Sequence, residues 1–198
     1  MDHETLLRLI AAGIILLVSF PVHEFAHAWM AYRLGDSTAR YLGRLTLNPI
    51  AHFDPYGGLL LIASAYAAGW TIGWAKPTPV NFANLRNGRT GEAMVAAAGP
   101  VSNLILAAAG GLVYRLLTGI VTSPGQHDLL DIVGFFVEIN VSLFIFNLIP
   151  VPPLDGTRVA LAALPPRQAF EWGPLLYQYG SYVLLALVFV PILSLIHI

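Results

Sequence analysis

His23-Glu24-Phe25-Ala26-His27 places two imidazoles four residues apart with a carboxylate between them. On a helix, positions i and i+4 share one face, so both rings can reach one ion. Glu24 flanks them and can hold a water against the ion without being a ligand itself. That is the division of labour in H-E-x-x-H: two ligands plus a general base. A catalytic zinc takes three protein ligands and keeps a fourth position open. The chain has no Cys, so the third ligand has to be His or carboxylate. Asp155 is the candidate, preceded by Asn147-Leu148-Ile149-Pro150-Val151-Pro152-Pro153-Leu154 and followed by Gly156. Pro150, Pro152 and Pro153 deny the backbone a regular helix and re-aim the chain. Two plainer roles compete. The histidines could be a structural pair hydrogen-bonded inside a bundle, and Asp155 could cap a helix starting near Gly156.

The elements that must position these groups are apolar. Of 198 residues, 57% are hydrophobic and 11% charged, against about 25% charged in soluble domains; mean hydropathy is +0.69. The composition is that of an integral membrane protein. The length allows a single domain, residues 1–198, and a net charge of -1 argues against nucleic acid as a partner. His23 to His27 fall inside the apolar run Leu6–Leu34. Ionisable groups in a span are costly, and are functional candidates by default. Asp2 and Glu4 against a single Arg8 make a poor signal peptide, so the first segment is expected to be a retained anchor.

Five apolar segments follow from the pattern: 1–35, carrying the histidine motif; 56–91, whose apolar part ends near Trp74; 92–118; 131–150; and 175–198. The first is long for a 30 Å hydrocarbon core, since roughly 29 residues rise about 43 Å, and Pro21 should kink it. The positive-inside rule decides whether 56–75 crosses. If all five segments cross, cations divide six to four. If the second dips in and returns, Arg33, Arg40, Arg44, Lys76, Arg86, Arg89, Arg158 and Arg167 share one side, opposite Arg8 and Arg115. The expectation is an all-α membrane protein of about four full transmembrane helices plus a re-entrant, partly β-like element; five to six spans is the alternative. The N-terminus is then outside, and both candidate ligand regions face the cytoplasm. Irregular backbone at membrane depth must line protein or a wet cavity, which applies to the Gly- and Pro-rich stretch 69–81. Lys76-Pro77-Thr78-Pro79-Val80-Asn81 could accept an unwound strand along its edge, or be a plain turn.

Smaller signals carry less. Gly99, Ser102 and Asn103 form a ridge suited to close helix packing and a cross-helix hydrogen bond. His52 and Asp54 read as a second metal site, a gate or, more simply, a solvated turn. His3 and His127 suggest no role. Trp29, Trp70, Trp74 and Trp172 sit near segment ends, as interfacial anchors do.

His23-Glu24-Phe25-Ala26-His27, Gly99-Pro100-Val101-Ser102-Asn103 and Asn147…Pro150…Leu154-Asp155-Gly156, in that order, resemble the site-2 protease family of intramembrane zinc metalloproteases, in its compact prokaryotic form without a PDZ or CBS domain. The resemblance spans essentially the whole chain. It implies one Zn2+ held by His23, His27 and Asp155, with Glu24 as catalytic acid and base. It implies that Asn147 contacts substrate or the oxyanion, and that the re-entrant element, with Lys76, Pro77 and Asn81, holds substrate. It also implies that Gly99 and Asn103 lie near the metal. The expected function is a zinc-dependent endopeptidase hydrolysing peptide bonds in or near transmembrane segments, in a prokaryotic inner membrane, with transmembrane proteins and the bilayer as partners. Rival readings are a catalytically inactive metal-binding membrane protein and a metal transporter. Intact Glu24 opposes the first; the second would need a polar path through the bilayer.

Overall fold

The computed structural model describes residues 3–67, 73–120 and 127–189. Every regular element among them is helical. The first span is a continuous helix in three parts: α1 (His3–Ile14), a π turn (Ile15–Ser19) and α2 (Phe20–Arg33). Pro21 has no N–H, and its ring crowds the carbonyl four residues back. The wide turn accommodates this, with the Phe20 N–H bonding the Ile15 carbonyl. The first and last flanking residues, Ile14 and Phe20, keep helical angles, so the helix runs on through the π turn. Two short helices, α3 (Thr38–Tyr41) and α4 (Pro49–His52), lead to α5 (Pro55–Ala67).

The next helix, α6 (Gly88–Thr118), carries Pro100 inside it. It is followed by α7 (His127–Asn147), α8 (Gly156–Ala163) and α9 (Pro166–Phe189). Among the described residues, three helices are long and apolar enough to cross a membrane: His3–Arg33, Gly88–Thr118 and His127–Asn147. The fifth apolar segment begins earlier than 175 and contains Pro174, and its last residues, 190–198, lie outside the described residues. At 13 residues, α5 rises only about 20 Å, short of a 30 Å core. Residues 68–72, including Trp70, also lie outside the described set. Where the chain resumes, Gly73 sits against Leu61 and the Gly57 carbonyl, so it has come back beside the first turns of α5. Residues 73–81 form neither helix nor strand. The partly β-like expectation fails there because the segment's polar groups bond to side chains and loop carbonyls instead of a neighbouring strand.

The buried interior is rich in small residues: Ala11, Ala12, Ala28, Ala31, Ala65, Ala96 and Ala107 are nearly inaccessible, beside a few large ones such as Ile15 and Leu61, while many large apolar side chains face outward. Between membrane helices no water drives packing, so close approach of small side chains has to hold them. Ala12 and Ile15 pack on Leu61 and Ala65, joining α1 to α5; Ala31 packs on Leu85 and Val95, joining α2 to α6. Gly110 of α6 lies under Phe136 and Val137 of α7. At one end, His3 meets Asp128 at 2.9 Å, so the start of the first span and the start of α7 lie at the same level.

Candidate metal centre

One turn of α2 presents His23 and His27, with ring centroids 4.7 Å apart. Asp155 arrives from the other half of the chain. The turn between α7 and α8 is tight: a Cβ on Gly156 would lie 2.6 Å from the Ile149 carbonyl oxygen and closer still to Leu148. Glycine is thus required for the reversal that delivers Asp155. Asp155 occupies the N-cap position of α8 yet makes no side-chain capping bond; its carboxylate is turned to the histidines instead.

Three atoms converge. His23 Nε2 and His27 Nε2 are 3.0 Å apart, and Asp155 Oδ2 lies 3.3 Å from the first and 3.4 Å from the second. Zinc–ligand bonds of about 2.0–2.2 Å in tetrahedral arrangement require donor separations of about 3.3–3.5 Å, close to this triangle. The hydrogen bonds behind the rings decide what the triangle contains. His27 Nδ1 is 2.8 Å from the Val95 carbonyl, which can only accept, so Nδ1 carries the proton and Nε2 presents a lone pair. His23 Nδ1 is 2.6 Å from Asn103 Oδ1, with the same consequence. Two lone pairs and a carboxylate oxygen then face one another, an arrangement that a cation stabilises. The donor set fits zinc.

α6 is cut away to admit this cluster. A Cβ on Gly99 would stand 2.6 Å from His23 Nε2 and nearer still to the His27 ring. Asn103, one turn along, is fully buried. Its amide donates to Asn140 Oδ1 of α7 at 2.9 Å. Asn140 in turn donates to Ser19 Oγ in the π turn at 3.1 Å and to the Phe136 carbonyl at 2.8 Å.

Glu24 is 9% exposed and faces the same cleft of about 340 Å³ as both histidines, Asp155, Asn147, Pro77 and Thr78. Its Oε2 accepts the Thr78 backbone N–H at 2.6 Å, and the Thr78 hydroxyl donates to the Glu24 carbonyl at 3.0 Å. The segment 73–81 is pinned elsewhere too. The Lys76 N–H donates to the His52 carbonyl at 2.9 Å, Arg44 donates to the Lys76 and Pro77 carbonyls, and the Asn81 N–H donates to Asp36 Oδ2 at 2.8 Å. Burial lowers the Arg44 pKa, and the charge of Glu24 acts in the opposite sense. Since Pro77 and Pro79 have no N–H, Val80 carries the remaining donor of residues 76–81.

The predicted residues therefore divide. His23, Glu24, His27, Asp155, Asn147 and Pro77 meet at the cleft. Asn147 spends one amide hydrogen on the Leu143 carbonyl at 2.9 Å. Lys76 is exposed, and the Asn81 side chain caps a 3-10 turn by accepting the Ala83 N–H; neither lines the cleft. His52 is buried and bonds the Thr46 carbonyl at 2.7 Å, while Asp54 accepts the N–H groups of Tyr56 and Gly57 at the start of α5. Asp54 fits the turn reading; His52 lies in the turn too, but at 1% exposure it is not solvated. Asn140, Ser19, Arg44 and Asp36 were missed by sequence reasoning, and Thr78 was named only within the stretch 76–81. Only Asn140 and Ser19, polar residues inside apolar spans, carried a signal. Arg158 was missed as well: it lines the cleft, pairs with Glu92 at 3.1 Å and stacks over Phe82 at 3.8 Å.

Known proteins resemble the chain in sequence. Residues 122–188 match peptidase family M50. The chain is 40% identical over 186 residues to YwhC of Bacillus subtilis, a protein named as a zinc metalloprotease, covering 86% of this chain and 82% of the relative. It is 29% identical over 197 residues to Rip2 of Mycolicibacterium smegmatis, also named as a zinc metalloprotease, covering 96% and 73%. Rip3 of Mycobacterium tuberculosis is 30% identical over 158 residues, covering 79% of this chain and 32% of its own length. No solved structure matches.

Proposed function

The chain belongs to peptidase family M50, and from that premise we propose that it is a zinc-dependent endopeptidase cutting within or beside the transmembrane segments of other membrane proteins. The observation that carries this reading is the convergence of His23 Nε2, His27 Nε2 and Asp155 Oδ2 beside the carboxylate of Glu24 in one cleft.

His23, His27 and Asp155 would hold the ion, leaving the cleft side for water and substrate. Zinc at such a centre supplies Lewis acidity and acidifies water. Glu24 takes a proton from the attacking water and returns it to the leaving amine. Asn147 has a second amide hydrogen to offer the carbonyl oxygen as charge develops there. A transmembrane helix hides its carbonyls in its own hydrogen bonds, so a substrate has to unwind first. The wall formed by Pro77, Thr78 and Val80 is the surface against which it would lie. Glu24 already holds the Thr78 N–H and Arg44 the Pro77 carbonyl, so a strand would pair with the Val80 N–H and the Thr78 and Val80 carbonyls.

The membrane arrangement belongs to the same proposal. The His3–Asp128 contact needs an even number of crossings between those residues. The first span and α6 supply two, which supports α5 and residues 73–81 entering and leaving on one side. Combined with the cation bias, it supports a centre nearer the cytoplasmic face of a prokaryotic inner membrane.

Elemental analysis of detergent-purified protein tests the proposal. About one zinc per chain is expected in the wild type, with loss in Asp155→Ala; Glu24→Gln should keep zinc and lose cleavage of a transmembrane substrate by about 10²–10⁴-fold or more. A wild type free of zinc under chelator-free conditions, or a Glu24→Gln protein that cleaves normally, overturns it.

A further inference from the structure

The histidine motif is supported by a buried polar chain that crosses three helices and whose members beyond His23 do not line the cleft. It runs from His23 through Asn103 on α6 and Asn140 on α7 to Ser19 in the π turn. All three supporting side chains are fully buried. Amides can face either way, but here only one direction is consistent. Asn140 Nδ2 lies 2.8 Å from the Phe136 carbonyl, a group that cannot donate, so the nitrogen has to face it. Asn140 Oδ1 is then free to accept from Asn103 Nδ2 at 2.9 Å. That leaves Asn103 Oδ1 facing His23 Nδ1 at 2.6 Å, and His23 has to carry its proton on Nδ1. One backbone carbonyl on α7 thus determines which nitrogen of His23 is offered to the ion, two amides away.

We propose that Asn140 is a positioning residue for the metal centre, fixing the tautomer and ring orientation of His23 through Asn103. Ser19 completes the donor count of Asn140, which gives the π turn a purpose: it brings a hydroxyl of the first span against α7 beside the motif it precedes. A positioning partner of this kind typically alters metal affinity 10–100-fold when lost.

This inference rests on the zinc reading above, and the test separates the two. Zinc affinity is measured by chelator competition for the wild type, Asn140→Leu and Asn140→Asp, together with thermal stability of the metal-free proteins. Asn140→Leu removes the acceptor for Asn103 and should weaken zinc about 10–100-fold. Asn140→Asp keeps an oxygen acceptor and should bind close to wild type, although a buried acid makes it the less stable fold. Affinity that follows stability, with Asp below Leu, overturns the proposal, as does Asn140→Leu binding like wild type. Nitrogen chemical shifts of His23 in the metal-free wild type give a second reading that needs no variant: an Nδ1–H imidazole supports the chain, and an Nε2–H imidazole refutes it. A wild type that takes up no zinc overturns both this inference and the function it rests on.

Discussion

Replacing Gly99 with alanine adds a single methyl at the point where α6 meets the histidines. In the present backbone that methyl would stand 2.6 Å from His23 Nε2 and closer to the His27 ring, whereas ordinary contact begins at 3.4 Å. The His23 donor atom would have to retreat by about 0.8 Å, against a tolerance of about 0.2 Å in zinc–ligand distances. The ring has little room to yield, because His23 Nδ1 is held by Asn103 and His27 Nδ1 by Val95. Overpacking of this kind costs about 1–3 kcal/mol, while alanine returns about 1 kcal/mol of helix propensity relative to glycine. The helix should therefore survive and the metal site should not. The expectation is a protein of near-normal helicity and melting temperature that has lost zinc affinity by at least about tenfold and cleavage by about 10²-fold, the cost of an ångström of misplacement. Gly111→Ala is the control: it lies in the same helix, where an added Cβ meets nothing within 4 Å, and should bind zinc normally. Chelator competition on both variants, with circular dichroism, makes the comparison. Gly99→Ala binding zinc as tightly as Gly111→Ala would refute the placement of α6 against the motif.

Other perturbations address the wall at residues 77–80. Arg44, 6% exposed, donates to the Lys76 and Pro77 carbonyls, and bonds from a charged donor are worth about 1.5–3 kcal/mol. Arg44→Met should make residues 73–81 exchange amide hydrogens faster and be cut sooner by added protease, with zinc content unchanged; equal protection would show that Arg44 does not hold the wall. Asp36 accepts from the Thr38 hydroxyl at 2.6 Å, Asn84 Nδ2 at 2.9 Å and the backbone of Thr38 and Asn81. Burial pushes its pKa up, but these bonds outweigh it and hold the carboxyl below its ordinary value. A depressed folded pKa adds stability that is complete above the unfolded value of about 3.9 and is lost as pH falls through the folded one. Melting temperature of the wild type should therefore drop more steeply below about pH 4 than that of Asp36→Asn, and parallel curves would refute the role. Tyr32 receives a hydrogen bond from Arg40 at 2.8 Å with both groups exposed, so Arg40→Ala should leave zinc binding and stability unchanged within about 0.5 kcal/mol.

The sequence alone determined the chemistry and the class of solvent. Four-residue spacing on any helix brings His23 and His27 to one side with Glu24 adjacent, and a 57% hydrophobic chain has to bury its helices in lipid. Both follow from local geometry and composition, which need no knowledge of neighbours. The third ligand was legible as a candidate because prolines forbid helix before Asp155, but its competing capping role stayed open. Only the tertiary turn at Gly156 showed the carboxylate free of a capping bond and turned to both histidines. The sequence also gave no means of pairing Asn103 with His23, Asn140 with Asn103, or Thr78 with Glu24. Those bonds join residues 80, 37 and 54 positions apart, and their partners depend on how α2, α6 and α7 rotate against one another. A buried polar side chain in lipid must find a partner, so the sequence shows that one exists; which one it is depends on helix packing.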